Sequence, residues 1–136
     1  MIVVDVNVIA YLLIAGEKSA DAQALHELDP DWILPDLWRD EFLNILATYV
    51  QQGGADLESA GALWQSAVAL FGPQERAADP LSVLGLAHRY RLSAYDAQYL
   101  AVAVQLSVPL ITEDRALCQS TPHHSRSLRD YLEQRR

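Results

Sequence analysis

The sequence contains little of what disulfide-bonded, zinc-binding or membrane-spanning proteins are built from. Its 136 residues include one cysteine, Cys118, which excludes an internal disulfide and a cysteine-based zinc site and indicates a reducing compartment. No apolar run approaches the roughly 18 residues that cross a membrane, and the apolar start of the chain lacks a basic leader. We therefore expect a cytoplasmic protein without a targeting segment or a membrane partner.

Positive charge is also scarce. Lys18 is the single lysine, and the net charge is −8. A protein that coats nucleic acid is expected to be basic, so the charge argues against that class. It does not exclude an enzyme that contacts few phosphates and uses bound cations to neutralise them.

Several catalytic fingerprints are missing. The chain has no GxGxxG or GxxxxGK loop for a nucleotide and no nucleophile elbow for a hydrolase. A haloacid-dehalogenase-type phosphatase would need Asp-x-Asp after its first strand, where this chain has Asp5, Val6 and Asn7. A phosphoaspartate receiver would need clustered acids there and a lysine after a later strand, whereas this chain has the single acid Asp5 there and no lysine beyond Lys18.

Strand and helix signals alternate along the chain, which is typical of α/β proteins. The length and 51% hydrophobic content fit one domain, residues 1–136, with a substantial core. Strands are predicted over 2–4, 32–34 and 109–112, with strand-like sequence between the last two helices. Helices are predicted over 8–15, 19–28, 36–53 with Asp36 as N-cap, 57–71, 80–90, 94–106, near 115, and 127–133. Segment 72–79 is predicted to be a loop or a short edge strand.

Four acids, Asp5, Glu41, Asp96 and Asp114, lie at or near the ends of apolar segments. Asp5 and Asp114 each follow a buried strand, and the carboxyl ends of parallel strands meet at the edge where α/β proteins bind ligands. Glu41 lies at the flank of a helical apolar stripe, where an unpaired carboxylate is costly, whereas its neighbour Asp40 faces solvent. The four side chains can therefore converge on one pocket.

Three of these acids also have structural explanations that the residues alone leave open. Asp96 could cap a helix as part of a capping box with Ser93, although the box prefers the longer Glu or Gln. Asp114 could be a helix N-cap, and Asp5 could end a strand in a turn. A cluster of carboxylates maintained at neutral pH implies bound cations, and oxygen ligands without cysteine or histidine favour Mg²⁺ or Mn²⁺.

Three segments, VVDVNVIAYLL, DLWRDEFLNIL and LSAYDAQYLAVAVQLSVPLITEDRAL, resemble PIN domains, particularly the small toxin ribonucleases of VapBC-type toxin–antitoxin modules. The most specific part is YDAQYLAVA followed by LITED, and the resemblance covers essentially the whole chain. It implies a three-layer α/β/α sandwich with a central parallel sheet of four or five strands. The acidic quartet of the family falls on Asp5, Glu41, Asp96 and Asp114, with Asn7 and Thr112 as accompanying polar residues.

The resemblance further implies a Mg²⁺- or Mn²⁺-dependent endoribonuclease that forms a homodimer and is inhibited by a small antitoxin. Arg115, Arg126 and Arg129 are candidates for holding RNA phosphates, although arginines on a solvated face have the same signature. Many relatives carry another acid after the last aspartate, where this chain has Arg115. Glu113 is the nearest substitute, so the number of metal ions stays open. The alternatives are a PIN-like module that binds RNA or protein without cutting, and a housekeeping nuclease without an antitoxin.

Overall fold

A computed structural model of the chain describes residues 1–135 as four short strands and eight α-helices, which are listed here in chain order. The strands are β1 (Ile2–Val4), β2 (Trp32–Ile33), β3 (Leu110–Ile111) and β4 (Ser125–Arg126). The helices are α1 (Val6–Leu13), α2 (Ser19–Leu28), α3 (Trp38–Gln51), α4 (Leu57–Phe71), α5 (Pro80–Tyr90), α6 (Ala94–Leu106), α7 (Arg115–Ser120) and α8 (Leu128–Glu133). None of these helices is long and apolar enough to cross a lipid bilayer.

The strands form one parallel sheet in the order β2-β1-β3-β4. Val3 pairs with Ile33 on one side and with Leu110 on the other, and Leu110 pairs with Ser125. Every residue of β1, β2 and β3 is buried, as expected for parallel strands covered by helices. The predicted α/β fold with a parallel sheet of four or five strands is confirmed, with four.

Most predicted elements are present with bounds shifted by up to two residues, and three differences concern how elements begin or connect. Helix α1 begins at Val6 rather than at residue 8, directly after Asp5. Asp36 is not the N-cap of α3: Pro35 and Asp36 accept backbone hydrogen bonds in a turn, and Leu37 is the capping residue. Segment 72–79 opens with a short 3₁₀ helix (Gly72–Gln74), and only Glu75 makes an isolated bridge to Leu34.

Helix α6 joins the core to the carboxyl edge of the sheet. It packs against β1, β3 and α5, and its small residues Ala97, Ala101 and Ala103 are buried, which allows a close approach to its neighbours. Its first turn contains Asp96, which is the residue immediately before that buried alanine surface. The packing of α6 therefore determines where Asp96 lies.

Two glycines end helix α3. Gly53 has φ of +81°, its N–H donates to Val50 O over 3.0 Å, and the Gly54 N–H donates to Tyr49 O over 2.8 Å. This pair of bonds is the Schellman motif, which satisfies carbonyls that the helix leaves unpaired at its end. The predicted end of the helix at Gly53 and Gly54 is therefore confirmed. This motif fixes where α3, the helix that contains Glu41, ends.

We expect Gly53→Ala to lower the free energy of unfolding by about 1 kcal/mol, because a Cβ is disfavoured at positive φ. Gly61→Ala is the matched control. Gly61 lies inside α4 with open space where a Cβ would be, so alanine should stabilise by about 0.5–1 kcal/mol through helix propensity. Urea denaturation measures both changes, and equal effects of the two substitutions would contradict the assignment of the Gly53 conformation.

Candidate metal centre at the carboxyl edge of the sheet

The carboxyl ends of β1 and β3 bring two acid-bearing segments together. Asp5 follows β1, and its backbone N–H donates to Ile111 O over 3.0 Å, which extends the pairing of the two strands by one residue. Thr112 and Asp114 follow β3 on the adjacent strand. Although 109 positions separate Asp5 and Asp114 in the sequence, parallel pairing places them at one edge of the sheet.

The hydroxyl of Thr112 connects these two acids. Its Oγ1 donates to Asp5 Oδ2 over 2.7 Å and accepts from the Asp114 backbone N–H over 3.1 Å. Thr112 is fully buried. A fully buried hydroxyl with both donor and acceptor used has one orientation, so Thr112 fixes the Asp5 carboxylate relative to the start of the Asp114 segment.

Helices α3 and α6 supply the other two acids and a tyrosine that links them. Glu41 in α3 and Asp96 in α6 are both half-buried. Tyr99 is one helical turn after Asp96, and its hydroxyl donates to Glu41 Oε1 over 2.6 Å. Because Tyr99 is 2% exposed, its ring holds the hydroxyl rigidly against Glu41.

Tyr99 was not among the sequence-predicted site residues. Its signal is its spacing of three from Asp96 in YDAQYL, which places both side chains on one face of α6. Burial chiefly raises the pKa of Tyr99, and the neighbouring Glu41 charge raises it further. The phenol therefore stays protonated and keeps its role as a donor.

The pKa values of three of the acids show that the carboxylates interact. Burial raises the pKa of Asp5 above 3.8, the Thr112 hydrogen bond opposes this, and the charge of Asp114 adds to it. Burial likewise raises the pKa of Glu41, and so do the charges of Asp5 and Asp96, against the Tyr99 hydrogen bond. Burial also raises the pKa of Asp96, with further contributions from Asp5 and Asp114. The four side chains thus form a carboxylate cluster: Asp5, Glu41, Asp96 and Asp114.

The capping alternatives are partly realised. Asp114 is the N-cap of α7, and its Oδ1 accepts from the Leu117 N–H over 3.0 Å. Ser93 caps α6 by accepting from the Asp96 backbone N–H over 3.1 Å. In residues 1–135 no reciprocal bond joins the Asp96 carboxylate to the Ser93 backbone, so the Asp96 side chain is not used as a cap.

Glu113 and Asn7 take positions different from those of the carboxylate cluster. Glu113 Oε1 accepts from the Leu128 N–H over 2.9 Å, and Oε2 is paired with Lys18 Nζ at 3.3 Å. It is therefore directed toward α8 rather than toward the cluster. Asn7 has an exposed side chain in the first turn of α1, and it affects Asp5 through its backbone N–H.

The three predicted RNA-contacting arginines lie together. Arg115, Arg126 and Arg129 line a cleft of about 820 Å³ that also includes Thr112. This cleft is continuous with the carboxyl edge of β3, because Thr112 contacts both the cleft and Asp5. The same cleft also contains acidic residues, so it is mixed in charge.

The cluster has the donor chemistry for a hard divalent cation. All four side chains are carboxylates. Burial chiefly raises the pKa values of Asp5, Glu41 and Asp96, and repulsion among the carboxylates adds to this, which is a cost that a cation would reduce. As they stand, however, no three His, Cys, Asp or Glu side chains in the described part of the chain could together hold one ion. Hydrogen bonds with Thr112, Tyr99 and the Leu117 N–H orient the carboxylates of Asp5, Glu41 and Asp114. Because the acids are too far apart to hold one ion as they stand, coordination would require the side chains to move closer together.

A parallel α/β sheet with interacting acids at its carboxyl edge defines a class of proteins whose ligand site lies at that edge. The chain belongs to the PIN domain family, whose profile matches residues 2–120. PIN domains are generally nucleases. No curated protein sequence matches the chain significantly.

Solved structures share this fold at low sequence identity. PAE2754 from Pyrobaculum aerophilum has a TM-score of 0.75 and 23% identity, over 97% of this chain and 93% of that one. FitAcB from Neisseria gonorrhoeae has a TM-score of 0.69 and 18% identity, over 92% and 96%. FitAB bound to the IR36 DNA fragment has a TM-score of 0.73 and 18% identity, over 94% and 95%.

Asp96→Asn should raise the melting temperature of the metal-free protein at pH 7 by a few degrees, on the order of the shift that 1 kcal/mol produces. The native pKa of Asp96 is raised above 3.8, so the native state binds more protons than the unfolded state between the two pKa values. Stability therefore falls as pH rises through that interval, and the amide removes this loss.

Thermal scans from pH 3 to pH 8 with EDTA measure the effect, and Asp40→Asn is the matched control at an exposed acid. The advantage of Asp96→Asn should disappear below the unfolded pKa, where Asp96 is protonated in both states. A gain that is equal at pH 3 and pH 7, or equal to that of the control, would show that charge repulsion is not its cause.

Thr112→Val should lower the free energy of unfolding by about 1–3 kcal/mol, because it removes the buried hydroxyl that donates to Asp5 and accepts from the Asp114 N–H. It should also weaken Mn²⁺ binding, because Asp5 loses its fixed orientation. Thr121→Val, at another fully buried threonine that bonds Leu117 O and Ser125, should cost similar stability but leave Mn²⁺ affinity unchanged. Calorimetric Mn²⁺ titration of both variants separates the two effects.

Proposed function

We propose that the protein is a Mg²⁺- or Mn²⁺-dependent endoribonuclease, the toxin of a VapBC-type toxin–antitoxin pair, whose active site is the carboxylate cluster. The observation that supports this most is the arrangement of Asp5, Glu41, Asp96 and Asp114: Thr112 bonds to both Asp5 and the Asp114 backbone, Tyr99 on the helix of Asp96 bonds to Glu41, and the charges of the acids act on one another. These acids come from four separate segments of the chain. Bringing like charges from four segments together lowers the stability of the fold, and such a cost is typical of functional sites.

The surrounding residues hold the proposed ligands in place. Tyr99 occupies Oε1 of Glu41, which leaves Oε2 as the free ligand oxygen, and Thr112 similarly occupies Oδ2 of Asp5. Such outer partners orient carboxylates for an ion and limit how each one binds it. Asp114 is oriented by its cap on α7.

Carboxylate oxygens suit Mg²⁺ or Mn²⁺ among the biological divalent cations. A bound ion of this kind acidifies water for attack on a phosphodiester and neutralises the phosphate. The contribution of the chain is to concentrate negative charge at the edge of the sheet. Single-stranded loops of structured RNA are the proposed substrates, because their backbone can reach a narrow site.

The proposed partners are a small antitoxin and a second copy of the chain, in the cytoplasm. An acidic site attracts a basic side chain, so an antitoxin could occupy the cluster with an arginine or lysine. Leu81 and Leu84, one turn apart on α5, are 77 and 64% exposed, and this exposed apolar pair is the proposed contact with the second copy. A small gene overlapping the coding sequence upstream would support the antitoxin pairing.

A second candidate function is a PIN-like module that binds RNA or protein without cutting. One observation favours it: within residues 1–135 no three acids are placed to hold one ion as they stand. A scaffold of this kind would bind Mn²⁺ weakly, and the loss of one acid would change that binding little. Cleavage and metal binding therefore distinguish the two candidates.

The test is to incubate the purified protein with total RNA and Mg²⁺ or Mn²⁺ and to map new RNA ends by sequencing. We expect discrete ends that disappear with EDTA. Asp5→Asn should strongly reduce the formation of these ends, because Asp5 is itself a proposed metal ligand. The reduction should exceed the roughly 10- to 100-fold that is typical when a residue that only orients a metal ligand is replaced. Asp40→Asn, at the exposed acid next to Glu41, is the matched control and should cut normally.

Ends that are the same in the wild type and in Asp5→Asn would indicate a contaminating nuclease. No new ends from the wild type, together with Mn²⁺ binding no stronger than that of Asp96→Asn, would overturn the nuclease and favour the binding module.

A further inference from the structure

A second cleft, of about 460 Å³, lies beside edge strand β4, at the end of the sheet opposite the carboxylate cluster. We call it the β4 cleft and define it by His123, His124, Arg126 and Arg135. No Asp or Glu within residues 1–135 lines it. In a chain with net charge −8, an opening that combines two arginines with two histidines and lacks acids is a local reversal of charge.

Arg126 connects the β4 cleft to the cleft beside the cluster, because it lines both. Its Nη1 donates to Pro122 O over 2.8 Å and to Ser125 O over 2.9 Å, so the guanidinium is anchored to the backbone at the start of β4. Its Nε and Nη2 donate to no residue in the described range. An anchored guanidinium with unused donors is preorganised to bind an anion.

The other cations continue from Arg126 in both directions. Arg115 and Arg129 line the first cleft on the cluster side, and neither forms a salt bridge with an acid in residues 1–135. On the far side, His123 and Arg135 are exposed, and the Arg135 guanidinium lies 4.4 Å from the ring centroid of Tyr131. This contact with the ring holds the Arg135 side chain beside the cleft.

The distance between the two clefts suits a short run of a polynucleotide chain. Pro109 lines the β4 cleft and Thr112 lines the first cleft, and they are three residues apart on an extended segment, which is roughly 10 Å. A strand that enters the carboxylate cluster can therefore place phosphates a few nucleotides away against Arg126 and Arg135. β4 is at the edge of the sheet, so no further strand lies between it and such a chain.

We infer that the β4 cleft binds the phosphate backbone of the RNA substrate on one side of the bond that is cut, with Arg126 and Arg135 as its main contacts. This inference rests on the proposed nuclease function, and it adds the direction in which the RNA leaves the active site. RNA is favoured over an acidic protein segment because Arg126 makes the cleft continuous with the one that contains Thr112.

The test measures binding and cutting separately. Fluorescence anisotropy with a labelled RNA spanning the mapped cut uses Asp5→Asn protein with Mg²⁺, so that the RNA stays intact. Arg135→Gln and His123→Gln in that background alter exposed side chains and should not disturb folding, whereas Arg126→Gln also loses a backbone anchor. Arg76→Gln is the matched control, since Arg76 is exposed beyond β2 at the opposite edge of the sheet.

We expect Arg135→Gln and Arg126→Gln to weaken RNA binding roughly threefold to tenfold and to reduce its salt dependence by about 0.7 for each lost phosphate contact. In otherwise wild-type protein they should raise KM and leave kcat unchanged. An RNA shortened on the side that reaches the β4 cleft should bind all proteins equally weakly. Arg76→Gln should change none of these values.

Two results would overturn the inference. If the Arg135 and Arg126 variants bind RNA as the Arg76 variant does while the wild type still cuts, the β4 cleft is not part of the substrate path and the nuclease stands. If the wild type binds no RNA and cuts none, both fail. Arginine-dependent RNA binding without cutting would support the cleft and refute the nuclease.

Discussion

The parallel pairing of β1 with β3 is the constraint on which the rest of the molecule depends. It places two chain segments, residues 5–7 and 112–114, at one edge although most of the sequence lies between them. The pairing is extended by the bond from the Asp5 N–H to Ile111 O, directly beneath the buried hydroxyl of Thr112. Because β1 and β3 are buried on both faces, a shift of register would disrupt their packing against the helices on both sides, so the geometry at the edge is set by the core.

This edge gathers negative charge, and the structure limits its cost with two neutral donors. The hydroxyls of Tyr99 and Thr112 each donate to one carboxylate, and both are almost completely buried. A neutral donor stabilises a carboxylate without cancelling its charge, whereas a lysine or arginine would form an ion pair and compete with a cation. The available cations support this view: Lys18 is paired with Glu113, which faces away from the cluster.

The sequence was sufficient for the fold class, the order of most elements and the elements beside or on which the four acids lie, because these follow from local patterns. A strand end followed by Asp5, or Ser93 followed by a small-residue helix, is visible in a few residues. Tyr99 was missed because its partner Glu41 is 58 positions away, and only packing of α6 near α3 brings them together. Asp36 was wrongly expected to cap α3, because the preference of Asp for N-caps competes with turn formation after Pro35.

The distribution of charge is harder to foresee than the positions of single acids. Composition gives −8 for the whole chain, yet the carboxylate cluster lies at the carboxyl edge of the sheet, whereas Arg126 and Arg135 line a cleft beside β4 toward the other end of the sheet. Opposite fields on adjacent surfaces orient a polyanion: its phosphates are repelled from the metal-free cluster and attracted to the arginines. A divalent cation at the cluster would remove the repulsion of the phosphates there and would leave their attraction to the arginines unchanged. Under the proposed nuclease function, cation binding would then determine when a nucleic acid chain can lie across both surfaces, and the arginines would determine on which side it leaves.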